Sequence, residues 1–250
     1  MLKDYIYENH IFGINNTHGT QWAYFRILLN HIENGSSILD VGCGTGTYFN
    51  NIAVRDIIKK KELSILCIDV NDNSIRKCKQ KIKEHNLKSH VTAICASIEF
   101  ISNNYDYVLW MDSYPVIDRK LFDRLFSHSL KIAKKSVYVY NGFVTEEDST
   151  IDLQNNYLRP ILGIITLNDF GQINTIDSMD VLAKNNDCEC TKHTIFSIKY
   201  SDMFYYANII LSKLGVMKET LNTNYNFVLV KFERCKHDLR NDLDEDQTDS

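Results

Sequence analysis

Short apolar runs alternate with longer amphipathic stretches along most of this chain. Several runs are apolar at consecutive positions, which is typical of strands buried on both faces of a parallel sheet. The stretches between them repeat apolar residues at helical spacing. This alternation predicts a series of βαβ units and a mostly parallel sheet. The seven predicted strands are 36–42, 63–70, 90–97, 105–112, 135–143, 192–200 and 224–232.

The amphipathic stretches predict six helices. They occupy residues 17–35, 48–60, 71–86, 118–134, 178–186 and 202–215. Asn71 is a predicted N-cap, and Gly35 and Gly215 are predicted helix stops. The segment 152–175 does not fit the alternation, because Pro160 disfavours a helix at the residue before it. We expect an insertion there that either covers a site or forms a surface loop.

The composition is that of an ordinary globular protein. Of its 250 residues, 44% are hydrophobic and 24% charged, which suits one large α/β domain. No apolar run approaches the roughly 20 residues of a membrane span, and the first residues do not resemble a signal peptide. We therefore expect a cytoplasmic protein without a membrane partner. The seven cysteines lack metal-ligand spacing, so reduced structural thiols and no metal site are expected.

Charge is concentrated at the carboxyl end. The formal net charge is −4, and five of the 32 acidic residues fall within the last ten positions, which leaves 27 acidic against 28 basic residues elsewhere. Bulk charge therefore favours neither a polyanion nor a polycation as partner. The predicted organisation is an N-terminal lid and helix over 1–35, one main domain over 36–235, and an acidic disordered tail over 236–250.

Three glycines follow the first predicted strand, in the stretch "DVGCGTG". Gly42, Gly44 and Gly46 have the spacing G-x-G-x-G, which differs from the G-x-G-x-x-G of dinucleotide sites. Glycine permits unusual backbone conformations and a close approach of a ligand to bare backbone amides. Asp40 lies two residues before the first glycine, where a carboxylate would not help phosphate binding but would suit a cationic ligand.

A second acid, Asp69, ends the next predicted strand. A carboxylate at that position can accept hydrogen bonds from both hydroxyls of a ribose. The two acids and the glycine turn together favour S-adenosylmethionine, which carries a sulfonium, an ammonium and a carboxylate on an adenosine.

The segments "ILDVGCGTG", "CIDV", "ICAS" and "YDYVLWMD" follow one another in a familiar order. The series resembles the motifs of class I S-adenosylmethionine-dependent methyltransferases, and the resemblance covers residues 36–143. It implies an α/β, Rossmann-like three-layer sandwich with a seven-stranded, mostly parallel sheet and an antiparallel last hairpin. It also implies S-adenosyl-L-methionine as the cofactor.

The resemblance further implies which residues bind the cofactor. Those near the glycine turn would surround the methionine moiety, those after the second and third strands would hold the ribose and adenine, and one would lie beside the methyl donor. The implied residues are Asp40, Gly42, Cys43, Gly44, Gly46, Asp69, Val70, Ser97, Ile98 and Met111. Ser97 departs from the pattern, because many members of the family carry an aspartate there.

The stretch "WMDSYPVID" supplies the candidate catalytic residues, Asp112 and Tyr114. Asp112 could bind an ammonium group or accept a proton from an amine, and Tyr114 could stack on a substrate or border a cation. An alternative is a turn at Pro115 in which Asp112 contacts only the cofactor. The order of residues in "DSYP" differs from that of nucleic-acid amino-methyltransferases, which counts against methylation of base amino groups.

The leading hypothesis is methyl transfer to a small molecule, with nitrogen slightly favoured over oxygen because of Asp112. Two alternatives remain open. One is an RNA methyltransferase, including a cap enzyme, which would use the basic runs at 59–61 and 76–83. The other is a catalytically silent module that keeps the fold for binding. The sequence leaves the oligomeric state open.

Overall fold

The sheet is the centre of the molecule. The computed structural model describes residues 25–111, 119–144, 175–199 and 224–235. Within them seven strands form one sheet in the order β3-β2-β1-β4-β5-β7-β6. The strands are β1 (Ser37–Val41), β2 (Ser64–Asp69), β3 (Val91–Cys95), β4 (Tyr105–Met111), β5 (Ala133–Val144), β6 (Cys188–Lys199) and β7 (Asn224–Arg234).

The first five strands are parallel, and the last two form an antiparallel hairpin against β5. This topology confirms the predicted fold class. Strand β1 pairs with β2 on one side and with β4 on the other, so the strand order reverses between β1 and β4. Ligands of such sheets bind at the carboxyl ends of the strands beside this reversal.

Five helices are described: α1 (25–31), α2 (Ile52–Lys60), α3 (Asp72–Glu84), α4 (Arg119–Ile132) and α5 (Ser178–Asn185). Asn71 caps α3 as predicted, because its side chain accepts a hydrogen bond from the Ser74 N–H at 3.1 Å. The predicted helix 48–60 is in fact split. Asn51 is extended and caps α2, and a 3₁₀ turn (Thr47–Asn50) precedes it.

The strand side chains alternate between two apolar clusters, one on each face of the sheet. One cluster includes side chains from α1, α2 and α3, and the other includes side chains from α4 and α5. In β1, Ile38 belongs to the first cluster, whereas Leu39 and Val41 belong to the second. The same alternation directs Asp40 to the face that α1 and α3 cover.

Helix α1 lies within the predicted helix 17–35. Phe25, Leu28 and Leu29 are fully buried in the first cluster, so this helix is part of the core. Residues 1–24, the predicted helix 202–215, the tail 236–250 and the predicted insertion apart from Thr175 lie outside the described residues. In the part of the chain that the structure describes, no helix combines the length and apolarity needed to cross a membrane.

Candidate active site

The glycine turn begins directly after β1, at the carboxyl edge of the sheet. Gly42, Gly44 and Gly46 have φ values of 71°, 56° and 63°, a region that L side chains rarely adopt. A Cβ atom at Gly44 would meet nothing within 4 Å, whereas one at Gly46 would lie 2.8 Å from Cys78 Sγ and 2.9 Å from the Phe49 ring. Gly44 therefore borders open space, while Gly46 allows the turn to pack closely on α3.

The backbone amides of this turn are largely used within the protein. Gly42 and Cys43 donate to the carbonyl oxygen of Ile68 at 2.8 and 3.1 Å. Gly44 donates to Asp69 Oδ2 at 2.9 Å. The expectation of bare amides is therefore wrong for these three positions. A pyrophosphate, which needs free N–H donors, would not find them here.

Asp69 lies at the end of β2 and fastens the turn. One carboxylate oxygen accepts from the Gly44 N–H, and the other accepts from the Asn71 N–H at 2.8 Å. The side chain is only half-buried. Since each carboxylate oxygen has two acceptor positions, one on each oxygen remains for a further donor. Two vicinal hydroxyls of a ribose would suit that arrangement.

Val70 follows Asp69 and leaves 76% of its surface exposed. Exposure of so large an apolar side chain at the edge of a site suits the flat face of an adenine. Ser97 is half-buried, and its Oγ donates to Glu99 Oε2 at 3.4 Å. Ile98 keeps only 1% of its surface exposed and packs in the second cluster, so its side chain is part of the core and is unavailable to an adenine.

Asp40 is placed beneath the turn. It is fully buried, and its Oδ2 accepts a hydrogen bond from the Tyr48 hydroxyl, while Oδ1 has no hydrogen-bond partner among the described residues. Burial raises the pKa of Asp40 to about 7, although the bond from Tyr48 acts in the opposite direction. The ring of Tyr48 stacks on Phe25 of α1 at 4.0 Å between centroids. Contact between Asp40 and a cationic ligand stays a prediction.

Tyr48 is not among the residues predicted from the sequence. Its signal was an aromatic residue two positions after the last glycine, close to the strand that carries Asp40. Side chains alternate between the two faces of a strand, so Asp40 lies on the same face of β1 as Ile38. This alternation already predicts that the carboxylate is buried between the sheet and the helices on that face.

The fourth strand ends beside the turn. Met111 is half-buried at the end of β4 and packs against the first cluster. Val41 of β1 is in register with Trp110 of β4, so Met111 lies at the same edge of the sheet as the glycine turn. The candidate catalytic residues Asp112 and Tyr114 lie outside the described residues.

Open space at Gly44, a half-buried acid with unused acceptor positions and an exposed apolar side chain occur together at one edge of a Rossmann-like sheet. This combination suits an adenosyl compound better than a dinucleotide. Comparison with known proteins agrees with it. Residues 38–136 match the family described as "Methyltransferase domain".

A relative in sequence is the ubiquinone/menaquinone biosynthesis C-methyltransferase UbiE of Blochmanniella floridana. It is 25% identical over an alignment of 203 residues, which covers 78% of this chain and 76% of the relative. Among solved structures, the YcgJ protein of Bacillus subtilis has a TM-score of 0.62 at 8% identity and covers 84% of this chain and 98% of its own.

A second solved structure is phosphoethanolamine N-methyltransferase 2 of Haemonchus contortus in complex with S-adenosyl-L-methionine. It has a TM-score of 0.59 at 14% identity, and the likeness covers 87% of this chain but 53% of that protein. At such identities the solved structures show the fold alone. The matched domain and the relative in sequence support a class I S-adenosylmethionine-dependent methyltransferase, and the solved structures share its fold.

Proposed function

We propose that the chain transfers the methyl group of S-adenosylmethionine to a small-molecule acceptor, with nitrogen favoured over oxygen. The observation that carries this proposal is the bond between the Gly44 N–H and Asp69 at 2.9 Å, beside the open space at Gly44. This bond holds a half-buried carboxylate and a side-chain-free backbone at the same edge of the sheet. We infer that Asp69 binds the ribose and that Val70 packs on the adenine.

S-adenosylmethionine supplies an electrophilic methyl group on a sulfonium sulfur. The acceptor nitrogen forms a bond to the methyl carbon while the bond from that carbon to sulfur breaks, and S-adenosylhomocysteine leaves. The chain has to hold the acceptor lone pair in line with the breaking bond and exclude water. We propose that Asp112, the next residue after β4, accepts the proton that the amine loses. Tyr114 is proposed to border the substrate.

The basic runs supply the argument against RNA. Lys61 Nζ donates to the carbonyl oxygens of Leu29, Asn30 and Ile32, which lie at the end of α1, at 2.9, 2.9 and 2.6 Å. Lys81 Nζ donates to the carbonyl oxygen of Thr45 at 2.9 Å. These two lysines therefore have structural partners and are not free to neutralise phosphates.

In the same helix as Lys81, Arg76 pairs with Asp72 at 3.1 Å. The pair is exposed and is separated by one helical turn, so it contributes little to stability. It nevertheless lowers the net positive charge of the run at 76–83, which weakens the case for a surface that binds nucleic acid.

The full chain would be incubated with methyl-labelled S-adenosylmethionine and, separately, with primary and secondary amines, phenols, carbon acids and total RNA. We expect label in an amine pool and none in RNA. Label that appears only in RNA would overturn the proposed acceptor class, and label in phenols or carbon acids would overturn the choice of nitrogen.

Substitution at Asp112 tests its proposed role. Asp112→Asn should lower the turnover number at least tenfold while the affinity for S-adenosylhomocysteine changes less than twofold, because general-base catalysis contributes about 10²–10⁴. Asp56→Asn is the matched control, since Asp56 is an exposed aspartate on α2. Equal turnover in Asp112→Asn and Asp56→Asn would contradict the assignment of Asp112.

A further inference from the structure

Three cysteines that are far apart in the sequence meet under the glycine turn. Cys43 belongs to the turn itself, Cys67 to β2 and Cys78 to α3. Their Sγ atoms all lie within 4.8 Å of one another, and all three side chains are buried. We refer to these three residues as the thiol cluster. Nothing in the proposed methyl transfer requires it.

Strand pairing, helix packing and a backbone hydrogen bond bring the three cysteines together. Cys67 is the register partner of Asp40 in the parallel pairing of β2 with β1, so both side chains point to the face that α3 covers. Close packing of Gly46 against Cys78 brings α3 onto the turn. The amide of Cys43 donates to the carbonyl oxygen of Ile68, the residue next to Cys67.

Sulfur–sulfur spacing in the cluster is close to that of a metal site. Zinc binds thiolates at about 2.3 Å, which places the sulfurs of a tetrahedral site about 3.8 Å apart. The sulfurs lie within 4.8 Å of one another, so each distance between two sulfurs has to shorten by at most about 1 Å to reach that spacing. Side-chain rotation supplies movements of that size without any change in the backbone.

Other polar side chains also face the cluster. Asp40 contributes a buried carboxyl whose Oδ1 has no partner among the described residues. The other titratable groups that face the cluster are Tyr48, whose hydroxyl lies 3.7 Å from Cys67 Sγ, and Lys81.

We propose that Cys43, Cys67 and Cys78 bind one thiophilic cation, Zn²⁺ or Cu⁺, and thereby fasten the glycine turn to β2 and α3. Thiolate sulfur selects these closed-shell ions over magnesium or calcium. Each bond from sulfur to metal replaces a bond from sulfur to hydrogen where the thiol is protonated, and that proton goes to solvent. The site is independent of the methyl acceptor, so failure of either proposal leaves the other standing.

The test uses the full chain, purified under reducing conditions and loaded separately with Zn²⁺ and with Cu⁺. After gel filtration, elemental analysis should find one equivalent of metal per chain, and the two loadings distinguish the ions. Loading with Co²⁺ should produce the absorption band of charge transfer from thiolate to metal, which histidine or carboxylate ligands do not give. Binding should also raise the midpoint of thermal unfolding.

Cys67→Ser and Cys78→Ser should each lower metal retention at least tenfold. Cys188→Ser is the matched control, because Cys188 is also buried but belongs to the second cluster on the other face of the sheet. The wild-type cobalt spectrum decides the question even where a variant fails to fold. The proposal is overturned if the wild type keeps less than a tenth of an equivalent of both Zn²⁺ and Cu⁺, if it keeps Zn²⁺ but gives no cobalt charge-transfer band, or if Cys67→Ser retains as much metal as Cys188→Ser.

Discussion

Alanine substitution at Gly46 should mainly lower the stability of the fold, whereas alanine substitution at Gly44 should mainly weaken cofactor binding. Gly44 and Gly46 both have a positive φ, which an alanine adopts at a cost of about 1–2 kcal/mol. Only at Gly46 would the new methyl group collide with neighbours, at 2.8 Å from Cys78 Sγ and 2.9 Å from the Phe49 ring. Overpacking of this kind adds about 1–3 kcal/mol. Gly46→Ala should therefore destabilise the fold by about 2–5 kcal/mol, against about 1–2 kcal/mol for Gly44→Ala.

Urea unfolding followed by circular dichroism gives the two free energies of unfolding. Calorimetric titration with S-adenosylhomocysteine, at a temperature where both variants are folded, gives the affinities. Gly44→Ala should lose more affinity than Gly46→Ala, because its methyl group occupies the open space beside the turn. Equal destabilisation by the two substitutions, or a greater loss of affinity in Gly46→Ala, would refute this division of roles.

Three further predictions concern single side chains. Asp69→Ala should weaken binding of S-adenosylhomocysteine by about 1–3 kcal/mol, the scale for losing charged hydrogen bonds; unchanged affinity in calorimetry would contradict the ribose role. The pKa of Asp40 is about 7 in the folded chain and 3.8 in the unfolded chain. Between these two pH values the folded chain keeps the proton and the unfolded chain loses it. The contribution of Asp40 to the free energy of unfolding is therefore lost as pH rises from about 4 to about 7. The free energy of unfolding of the wild type relative to Asp40→Asn should fall by about 4 kcal/mol over that interval, and a difference independent of pH would show that the carboxyl is not held protonated. Lys61→Met should destabilise the chain by about 1–2 kcal/mol in urea unfolding, because three carbonyl oxygens at the end of α1 lose a charged donor; an unchanged midpoint would show that these bonds contribute nothing.

The strands were predictable because their apolar runs are continuous, and every predicted strand has a counterpart in the sheet. Their ends were less predictable. Strand β6 begins at Cys188 rather than at residue 192, because Cys188, Glu189 and Cys190 pair with the end of β7. That pairing is a long-range contact that no local pattern reveals. Helix α2 starts at Ile52 because the backbone of Asn51 is extended. The helical periodicity of the sequence does not reveal this break.

The positions of the glycine turn and the two acids in the sheet were predictable, but their contacts were not. The spacing of these residues after the predicted strands placed them at the carboxyl ends of β1 and β2, where they lie. It gave no way to foresee that the amides of Gly42, Cys43 and Gly44 would be used within the protein. The thiol cluster was not predicted from the sequence for a related reason. Its members are separated by whole elements of secondary structure, and only the register of β1 with β2 and the packing of α3 bring them together.

A crystal structure of the full chain with bound S-adenosylhomocysteine tests the proposed cofactor site directly. We expect ribose hydroxyls within hydrogen-bond distance of the Asp69 carboxylate, adenine against Val70, and the sulfur of the ligand beside Gly44. Density for the ligand at another edge of the sheet, or a ribose that does not contact Asp69, would contradict the proposed site.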